Sequence, residues 1–363
     1  MSAIKKLCNS ISEDLKSRFP SQRATQRRKL SELVSATLMC HSPNLMELSN
    51  VINRPIESVE ARYNYVERFL KNELVSISEV MGYYTKDLLL SLAAKDGRLF
   101  LMIDQSKIND DIELLMISVR VKKRALPIIW LCKETKGAIC FNEQKKILEI
   151  AKSWIPENID VLLAGDKFYG SKHLIDWCQR NDWHYRLRLK GNFVINDAKN
   201  IGNDQNLKTI DQLKKDGVNY IQKAKMKMGV TTDIGILHDK NHKEPWFIAL
   251  DSKESNSKVI ASKVKEYGKR WGIENMFSDF KSKGFNISDS QIKIAKRLER
   301  LILVISIAFH WAVSVGMFVK KNSKEKLNPK SLEGLICLFL NLACVNSPRL
   351  SQLIKNHRLY GAV

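Results

Sequence analysis

The spacing of apolar and polar residues predicts different structures before and after about residue 90. Residues 1–90 show helical spacing, most clearly in segments 44–53 and 58–70, where apolar side chains recur every three or four positions. Arg54 and Pro55 lie between these segments, and proline favours the first turn of a helix. Two short helices around a tight turn are similar to a helix-turn-helix, although any small helical bundle contains such pairs.

The second of these helices supplies the candidate DNA contacts of the N-terminal region, if that region binds DNA. Its polar side chains are expected to be exposed, and Arg62 and Arg68 are the candidates to contact DNA, beside Asn64 and Tyr65. Six further basic residues lie close together just upstream, between positions 16 and 29.

From about residue 97, short apolar runs alternate with helical segments. The predicted strands are 98–104, 111–121, 125–134, 160–166 and 183–190, and the predicted helices are 142–154 and 171–180. This order indicates an α/β fold with a mixed sheet. Residues 191–251 do not continue this alternation of strands and helices. They contain short candidate strands between turns rich in Gly, Asn and Lys, which indicates a β-rich insertion.

The remaining segments are predicted to be helical. A long helix is expected from about residue 256 through Lys281, followed by an apolar helix over 301–319 and another over 332–345. The segment 301–319 is nearly long enough to cross a bilayer, but it carries His310 and other polar groups. We therefore expect a buried helix that covers a sheet, with a membrane span as the alternative.

Charge limits the choice of partners. Lys and Arg total 60 against 39 acidic residues, which gives a net charge of +21 and a pI near 9.6. Such an excess favours a polyanionic partner, nucleic acid before an anionic membrane surface. The seven cysteines are odd in number and form no C-x-x-C pair, which argues against a disulfide framework or a zinc site. The first residues, MSAIKKLCNS, contain no apolar stretch after the lysines, so we expect no signal peptide and a reducing cytoplasm.

Two acids stand where ligands commonly bind. Asp104 and Asp166 each end an apolar strand, and ligands of α/β sheets bind beyond such strand ends. Taken singly, either Asp also fits the first residue of a turn. The neighbouring acids Asp110, Asp111 and Asp160 have only that second interpretation.

A third acid belongs to a distinctive helix. Tyr267, Arg270 and Lys281 lie at offsets of −7, −4 and +7 from Glu274, which places all four on one helical face. A solvated face with an Arg–Glu pair would explain the spacing. Bulky apolar residues beside the charges argue that part of this helix is buried; they are Trp271, Met276, Phe277 and Phe280.

These strings resemble a known family. The pattern Tyr-x2-Arg-x3-Glu-x6-Lys, with Trp after the Arg, resembles the signature of DDE insertion-sequence transposases whose third acid lies in a YREK helix. Asp104-x-Ser106, GDKFYGS (165–171) and RLRLKGN (186–192) are similar to the family's other motifs, in the same order. The resemblance covers about residues 97–320. Lys167 and Phe168 depart from it slightly, without removing a chemical group that the pattern requires.

The resemblance implies an RNase H-like fold with a β insertion between the second Asp and the Glu. It implies that Asp104, Asp166 and Glu274 are catalytic and hold two Mg²⁺ ions, for which Mn²⁺ can substitute. Carboxylate oxygens suit such hard cations, and two metals can activate the attacking oxygen and stabilise the leaving one. It further implies that Tyr267, Arg270 and Lys281 grip phosphates. For Trp246, stacking on a flipped base and a place in the core of the insertion both remain open.

By the same resemblance, the expected activity is cleavage at transposon ends and strand transfer into target DNA. The expected partners are double-stranded DNA, as terminal inverted repeats and as target, and a second copy of the chain; no membrane partner is expected, and the location is the prokaryotic cytoplasm, on the nucleoid. A nuclease or resolvase without strand transfer and a non-catalytic DNA-binding protein of the same fold are the alternatives. The expected divisions are a helical DNA-binding domain (1–90), a catalytic domain in two parts (91–190 and 252–320), the β-rich insertion (191–251) and a C-terminal helical region (321–363) that is a candidate for dimerisation.

Overall fold

Five helices precede the sheet, as the N-terminal spacing predicted. The computed structural model describes residues 2–196, 207–215, 217, 219–226, 229–238 and 244–322. The N-terminal helices are α1 (Ala3–Arg18), α2 (Ala24–Cys40), α3 (Leu45–Val51), α4 (Val59–Lys71) and α5 (Ile77–Asp96). Polar side chains fix where three of them begin: Asn44, Ser58 and Ser76 each accept backbone N–H groups of the first turn.

Five strands form the half of the sheet that carries the two Asp residues. They are β1 (Arg98–Lys107), β2 (Ile112–Val121), β3 (Arg124–Glu134), β4 (Asp160–Gly165) and β5 (His184–Arg188). Their spatial order is β3-β2-β1-β4-β5, with β1 antiparallel to β2, β2 antiparallel to β3, and β4 parallel to both β1 and β5. This order is that of the RNase H-like fold, so the predicted fold class is confirmed.

The β-rich segment extends this same sheet. Its strands are β6 (Val194–Asn196), β7 (Leu207–Thr209), β8 (Tyr220–Met226), β9 (Thr231–Leu237) and β10 (Trp246–Leu250). β10 pairs antiparallel with β5, and the order continues through β9, β8, β6 and β7 to give ten strands. The sequence predicted these strands as an insertion; their attachment edge to edge with β5 is the new information.

The remaining helices lie between and after the strands. They are α6 (Phe141–Trp154), α7 (Lys172–Arg180), α8 (Ile210–Lys215), α9 (Ile260–Glu266), α10 (Trp271–Phe280) and α11 (Ala295–Asn322). The prediction of one continuous helix from 256 through 281 was wrong, because a 3-10 turn over Tyr267–Arg270 separates α9 from α10.

α11 is the central helix of the core. It is the one helix in the described part of the chain that is long and apolar enough to cross a membrane, and 94% of its apolar window is buried inside the protein. It packs on β3 and on α2, α4 and α5, and His310 donates from Nε2 to the Pro127 carbonyl of β3 at 2.8 Å. The expectation of a buried helix covering the sheet is therefore confirmed.

The N-terminal helices and the sheet share one hydrophobic cluster, which runs from Leu7 to Val315. Arg300 of α11, itself buried, donates to the Leu70 carbonyl at the end of α4 at 2.9 Å. The domain boundary near residue 90 stays a prediction, but α11 depends on both sides of it for burial. The predicted helix over 332–345, and most of the C-terminal region 321–363, lie outside the described residues.

Candidate active site

The strand register brings Asp104 and Asp166 side by side. β1 and β4 are parallel, and their last paired residues are Ile103 and Gly165. Asp104 and Asp166 are the next residues on each strand, so both carboxylates leave the sheet at the same edge. Asp104 is 8% exposed and Asp166 is half-buried. Asp166 directly follows the end of β4, as predicted, whereas the prediction that Asp104 ends its strand was wrong, because β1 continues to Lys107 in its pairing with β2.

The loop after Asp166 is held tightly against the sheet. The backbone N–H of Phe168 donates to Asp166 Oδ1 at 2.8 Å, and that of Tyr169 donates to the Asp166 carbonyl at 2.9 Å. Gly170 then passes so close to β5 that an added Cβ would lie 2.1 Å from the Arg188 carbonyl oxygen. Only glycine fits there, so the glycine of the GDKFYGS string sets the position of the Asp166 loop.

Arg270 joins the first acid to the third. Its Nη1 donates to Asp104 Oδ2 at 2.9 Å, and its Nη2 forms an ion pair with Glu274 Oε1. Its Nε donates to the Tyr267 hydroxyl at 3.1 Å. Arg270 is 7% exposed, and Tyr267 is 4% exposed. The alternative of a solvated helix face is therefore wrong: Arg270 contacts Glu274 from inside the protein and reaches a carboxylate 166 residues away.

The electrostatics of Asp104 reflect crowding of negative charge. Burial is the largest effect and raises the pKa of Asp104 to about 7. Arg270 opposes the increase, whereas the charges of Asp166 and Glu274 add to it. The carboxylate of Asp104 is thus close enough to both other predicted acids for their charges to raise its pKa.

Tyr169 is a residue of this site that the sequence analysis missed. Its side chain is fully buried, and its hydroxyl has no hydrogen-bond partner within the described part of the chain. Burial raises the pKa of this phenol well above its ordinary value, and the charges of Asp104 and Asp166 raise it further. A buried phenol without a partner is costly. The only signal in the sequence was its place within GDKFYGS.

Lys281 does not join this cluster. It follows the end of α10, it is half-buried, and no ion pair to it occurs among the described residues. Burial lowers its pKa, and the charge of Glu113 on β2 partly compensates. Contacts join Tyr267, Arg270 and Glu274 of the predicted common face, but they do not include Lys281. The sequence predicted a regular helix through Lys281, whereas α10 ends at Phe280 and Lys281 has a non-helical backbone conformation.

A cleft of about 380 Å³ opens beside Arg270 and Glu274. Trp246 of β10 forms one wall, and its ring meets that of Tyr267 edge to face at 5.1 Å. Trp246 is half-buried, and Trp271 beside it is 63% exposed. The other lining residues include Arg188, a cation that sequence reasoning missed. Trp246 therefore borders the candidate active site, and its proposed stacking on a base stays a prediction.

No three His, Cys, Asp or Glu side chains in the described ranges are grouped as ligands of one metal ion. Arg270 is the group that stands between Asp104 and Glu274. Asp110 and Asp111 are turned to other partners, Lys107 at 2.8 Å and Lys136 at 3.8 Å. These two acids therefore have the surface role that was expected for them.

On the N-terminal helices, the candidate DNA contacts differ in exposure. The prediction that Tyr65 is exposed was wrong. Its side chain is only 5% exposed, and its hydroxyl donates to the buried Glu32 carboxylate at 2.6 Å. Arg62 was also expected to be exposed, but it is half-buried and donates to the carbonyls of residues 56 and 57. Arg68 is exposed, as expected. A DNA contact by Arg62 or Arg68 stays a prediction.

A group of cations surrounds Tyr65; we call it the basic cluster, and it consists of Arg28, Lys29, Arg54 and Arg68. Lys29 Nζ lies 4.9 Å and Arg54 Cζ 4.5 Å from the centroid of the Tyr65 ring. Burial lowers the pKa of Lys29, and the positive charges of Arg68, Arg54 and Arg28 lower it further. Within the cluster positive charge therefore exceeds what Glu32 can neutralise.

A buried arginine links β5 to α9, the helix that precedes the Tyr267–Arg270 turn. Arg186 is fully buried and forms ion pairs with Glu254 at 2.8 Å and Glu266 at 2.9 Å. Its Nε also donates to the Lys263 carbonyl of α9 at 3.2 Å. Burial opposes ionisation of Glu254, but hydrogen bonds from Arg98 and Arg186 lower its pKa to about 2. Arg186 therefore helps to fix α9 and the turn that follows it against the sheet.

Comparison with solved structures gives distant likenesses. A piggyBac transposase synaptic complex with hairpin DNA aligns over 98% of this chain and 84% of that one, with 10% identity and a TM-score of 0.40. Ciona intestinalis endonuclease V in complex with an inosine-containing 24mer DNA aligns over 50% of this chain and 86% of that one, with 13% identity and a TM-score of 0.28. No match to the chain is found among curated proteins.

Comparison with protein families gives a match to the central part of the chain. Residues 143–311 match the model of the transposase DDE domain. The matched range contains Asp166 and Glu274, and β4, which begins within it, pairs directly with the strand that carries Asp104. This match assigns a transposase DDE domain to residues 143–311 and supports a transposase function.

Proposed function

We propose that this transposase cleaves DNA at the ends of an insertion sequence and joins the freed 3′ end to target DNA, with Asp104, Asp166 and Glu274 as its catalytic residues. One observation carries the proposal: adjacent parallel strands present two of the acids at one edge, and a single buried arginine joins the first of them to the third.

We propose that the three carboxylates hold divalent metal, with Mg²⁺ as the natural ion and Mn²⁺ as a substitute. Two features of the protein fit this assignment. The donor set is made of carboxylates alone, which suits a hard cation, and the mutual repulsion of the acids would be relieved by positive charge. The orphaned hydroxyl of Tyr169 could donate to a carboxylate or to a water molecule beside it. When bound, two such ions activate an attacking oxygen and stabilise the leaving oxygen of the phosphodiester.

The chain's own residues would then orient the DNA. Arg270 offers a planar fork that matches two phosphate oxygens, and Arg188 adds positive charge along the same cleft. Trp246 presents a half-buried ring at the edge of this cleft, where an unpaired base could stack. Lys281 lies just beyond the end of α10 and would contact a more distant phosphate.

We also propose that the N-terminal helices contribute DNA affinity through the basic cluster. Arg28 and Arg68 are its exposed members, and packing around Tyr65 holds the other two in place. Phosphate contacts of this kind position a protein on DNA and make the affinity depend on salt.

The setting follows from this activity. We propose that the enzyme acts in the prokaryotic cytoplasm, where the element and its targets lie. We further propose that two copies pair two element ends in the active complex.

The decisive experiment uses a labelled duplex that carries the end of the element encoding the chain, with Mg²⁺ and a supercoiled target plasmid. The wild-type protein should cut the 3′ strand and join it to the plasmid. Asp104→Asn, Asp166→Asn and Glu274→Gln should each lose cleavage at least 1000-fold while still binding the end, because metal ligands act on the transition state. Cleavage without joining would favour the nuclease alternative, and wild-type cleavage by Asp104→Asn would refute the catalytic assignment.

A further inference from the structure

Each of the three guanidinium nitrogens of Arg270 donates a hydrogen bond within the protein. Its Nε donates to Tyr267, its Nη1 to Asp104 at 2.9 Å, and its Nη2 to Glu274. Its guanidinium carbon also lies 5.4 Å from the centroid of the Tyr267 ring. The side chain therefore bridges β1 and α10 as a buried cation, and both of its terminal nitrogens are used on carboxylates.

Both carboxylate oxygens of Asp104 also accept hydrogen bonds. Its Oδ1 accepts the backbone N–H of Gln105 at 2.9 Å, and its Oδ2 accepts from Arg270. A divalent cation that takes Asp104 Oδ2 and Glu274 Oε1 as ligands competes with Arg270 for both oxygens. The guanidinium also repels a cation bound to the other oxygens of these carboxylates, so it weakens the binding of metal while it stays in place.

The cleft offers Arg270 a second position. It borders the cavity that Arg188, Trp246 and Trp271 also line, and a DNA phosphate there would present two oxygens to the same fork. One guanidinium then has two mutually exclusive partners, the carboxylates of the protein or a phosphate of the DNA.

We propose that Arg270 is an internal cation that competes with divalent metal for Asp104 and Glu274, so that an end of the DNA, by drawing Arg270 onto a phosphate, raises the affinity of the carboxylates for metal. The inference rests on the proposed function, since it requires these acids to be the metal ligands. Its consequence is an order of events: metal binds tightly only where DNA is already in place. By linkage, metal must strengthen the binding of DNA by the same factor.

The test measures Mn²⁺ binding to the full-length protein by electron paramagnetic resonance of the free ion, first without DNA and then with end DNA, and its readout is affinity for the ion and not cleavage. Arg270→Gln removes the competing charge and should bind Mn²⁺ more tightly than the wild type, by about 5- to 150-fold if the coupling is of ordinary size. Arg270→Lys keeps a charge but loses the fork that spans two carboxylates, so it should give a smaller increase and serves as a second variant if Arg270→Gln does not fold.

Arg120→Gln is the matched control. Arg120 donates to the Lys269 carbonyl, next to Arg270 in the chain, and no ion pair to it occurs among the described residues. Its loss removes one positive charge nearby without freeing Asp104 or Glu274. Wild-type Mn²⁺ affinity in Arg120→Gln would show that the effect of Arg270→Gln is not a general effect of net charge.

The possible results distinguish a failure of the competition between Arg270 and metal from a failure of the proposed metal site. Equal Mn²⁺ affinity of the wild type and both Arg270 variants, with loss of binding in Asp104→Asn, would overturn the competition and leave the metal site intact. Binding that persists in Asp104→Asn, or no binding by any form even with end DNA, would instead reject the metal site and the inference with it. A rise in affinity in Arg270→Gln that added end DNA no longer increases would support the inference.

Discussion

Replacing Gly170 by Ala should displace the loop that carries Asp166. The new Cβ would lie 2.1 Å from the Arg188 carbonyl oxygen, whereas Cβ atoms almost never approach another heavy atom within 3.0 Å. The loop or β5 must therefore move by about 1 Å. Neither side can relieve the contact by rotating a side chain, because the opposing atom belongs to the backbone of a strand paired on both edges.

Two consequences can be measured separately. Overpacking of this kind costs about 1–3 kcal/mol of the free energy of unfolding, which urea titration followed by tryptophan fluorescence would detect. A shift of about 1 Å in a catalytic group can lower the rate by about 100-fold, so cleavage of a labelled end should fall much more than the loss of stability explains. The folded fraction must be measured under the cleavage conditions, so that unfolding is not counted as loss of catalysis.

Gly137→Ala provides the matched control. An added Cβ at Gly137, in the loop before α6, meets no atom within 4 Å, so stability should change by less than about 0.5 kcal/mol and cleavage should stay normal. If Gly170→Ala were as stable and as active as Gly137→Ala, the close approach of the loop to β5 could not be what positions Asp166.

Three further predictions concern other parts of the protein. Arg28→Ala combined with Arg68→Ala should weaken binding of any DNA sequence and reduce the slope of log affinity against log salt by about 2; an unchanged slope in fluorescence anisotropy would remove the basic cluster from the interface. Arg186→Met leaves two carboxylates without their buried partner and should cost about 3–5 kcal/mol in chemical unfolding, while a neutral or stabilising effect would show that the ion pairs contribute no net stability. Burial lowers the pKa of His310 to about 4, so the unfolded chain binds this proton first as pH falls. The stability present above pH 6.5 should therefore be lost between pH 6.5 and 4, by up to about 3 kcal/mol, and His310→Gln should lack that share of the pH dependence in thermal melting.

Much of the sheet was predictable because burial leaves a periodic trace in the sequence. The predicted strand over 98–104 and the predicted helix over 142–154 correspond to β1 and α6, and the acids at two strand ends could be placed at one edge by topology alone. The resemblance of the sequence motifs to a known family then indicated which of the acids are the candidate catalytic residues. Neither kind of argument could give the pairing of β5 with β10, because strand partners far apart in sequence leave no periodic signal.

The missed residues share a physical cause. Tyr65 and Tyr169 have polar tips on apolar rings, and hydropathy cannot decide whether such a side chain faces solvent or a buried partner. Arg186 is a fully buried cation, which composition alone would assign to the surface. Arg270 was placed correctly on the face of Glu274, but helical spacing carries no signal for its contact with Asp104, which lies 166 residues away in the chain.

The pairing of β5 with β10 also bears on how this enzyme can change. The chain leaves β5 after Arg188 and returns beside it in β10, since Ile248 is the register partner of Arg188 and the Leu189 N–H donates to the Phe247 carbonyl at 2.7 Å. An excursion whose two ends are fastened together can be lengthened, shortened or exchanged at little entropic cost, without moving the strands that hold Asp104 and Asp166. What cannot be lost is β10 itself: without it, β5 would become an open edge, ready to pair with a strand of another molecule.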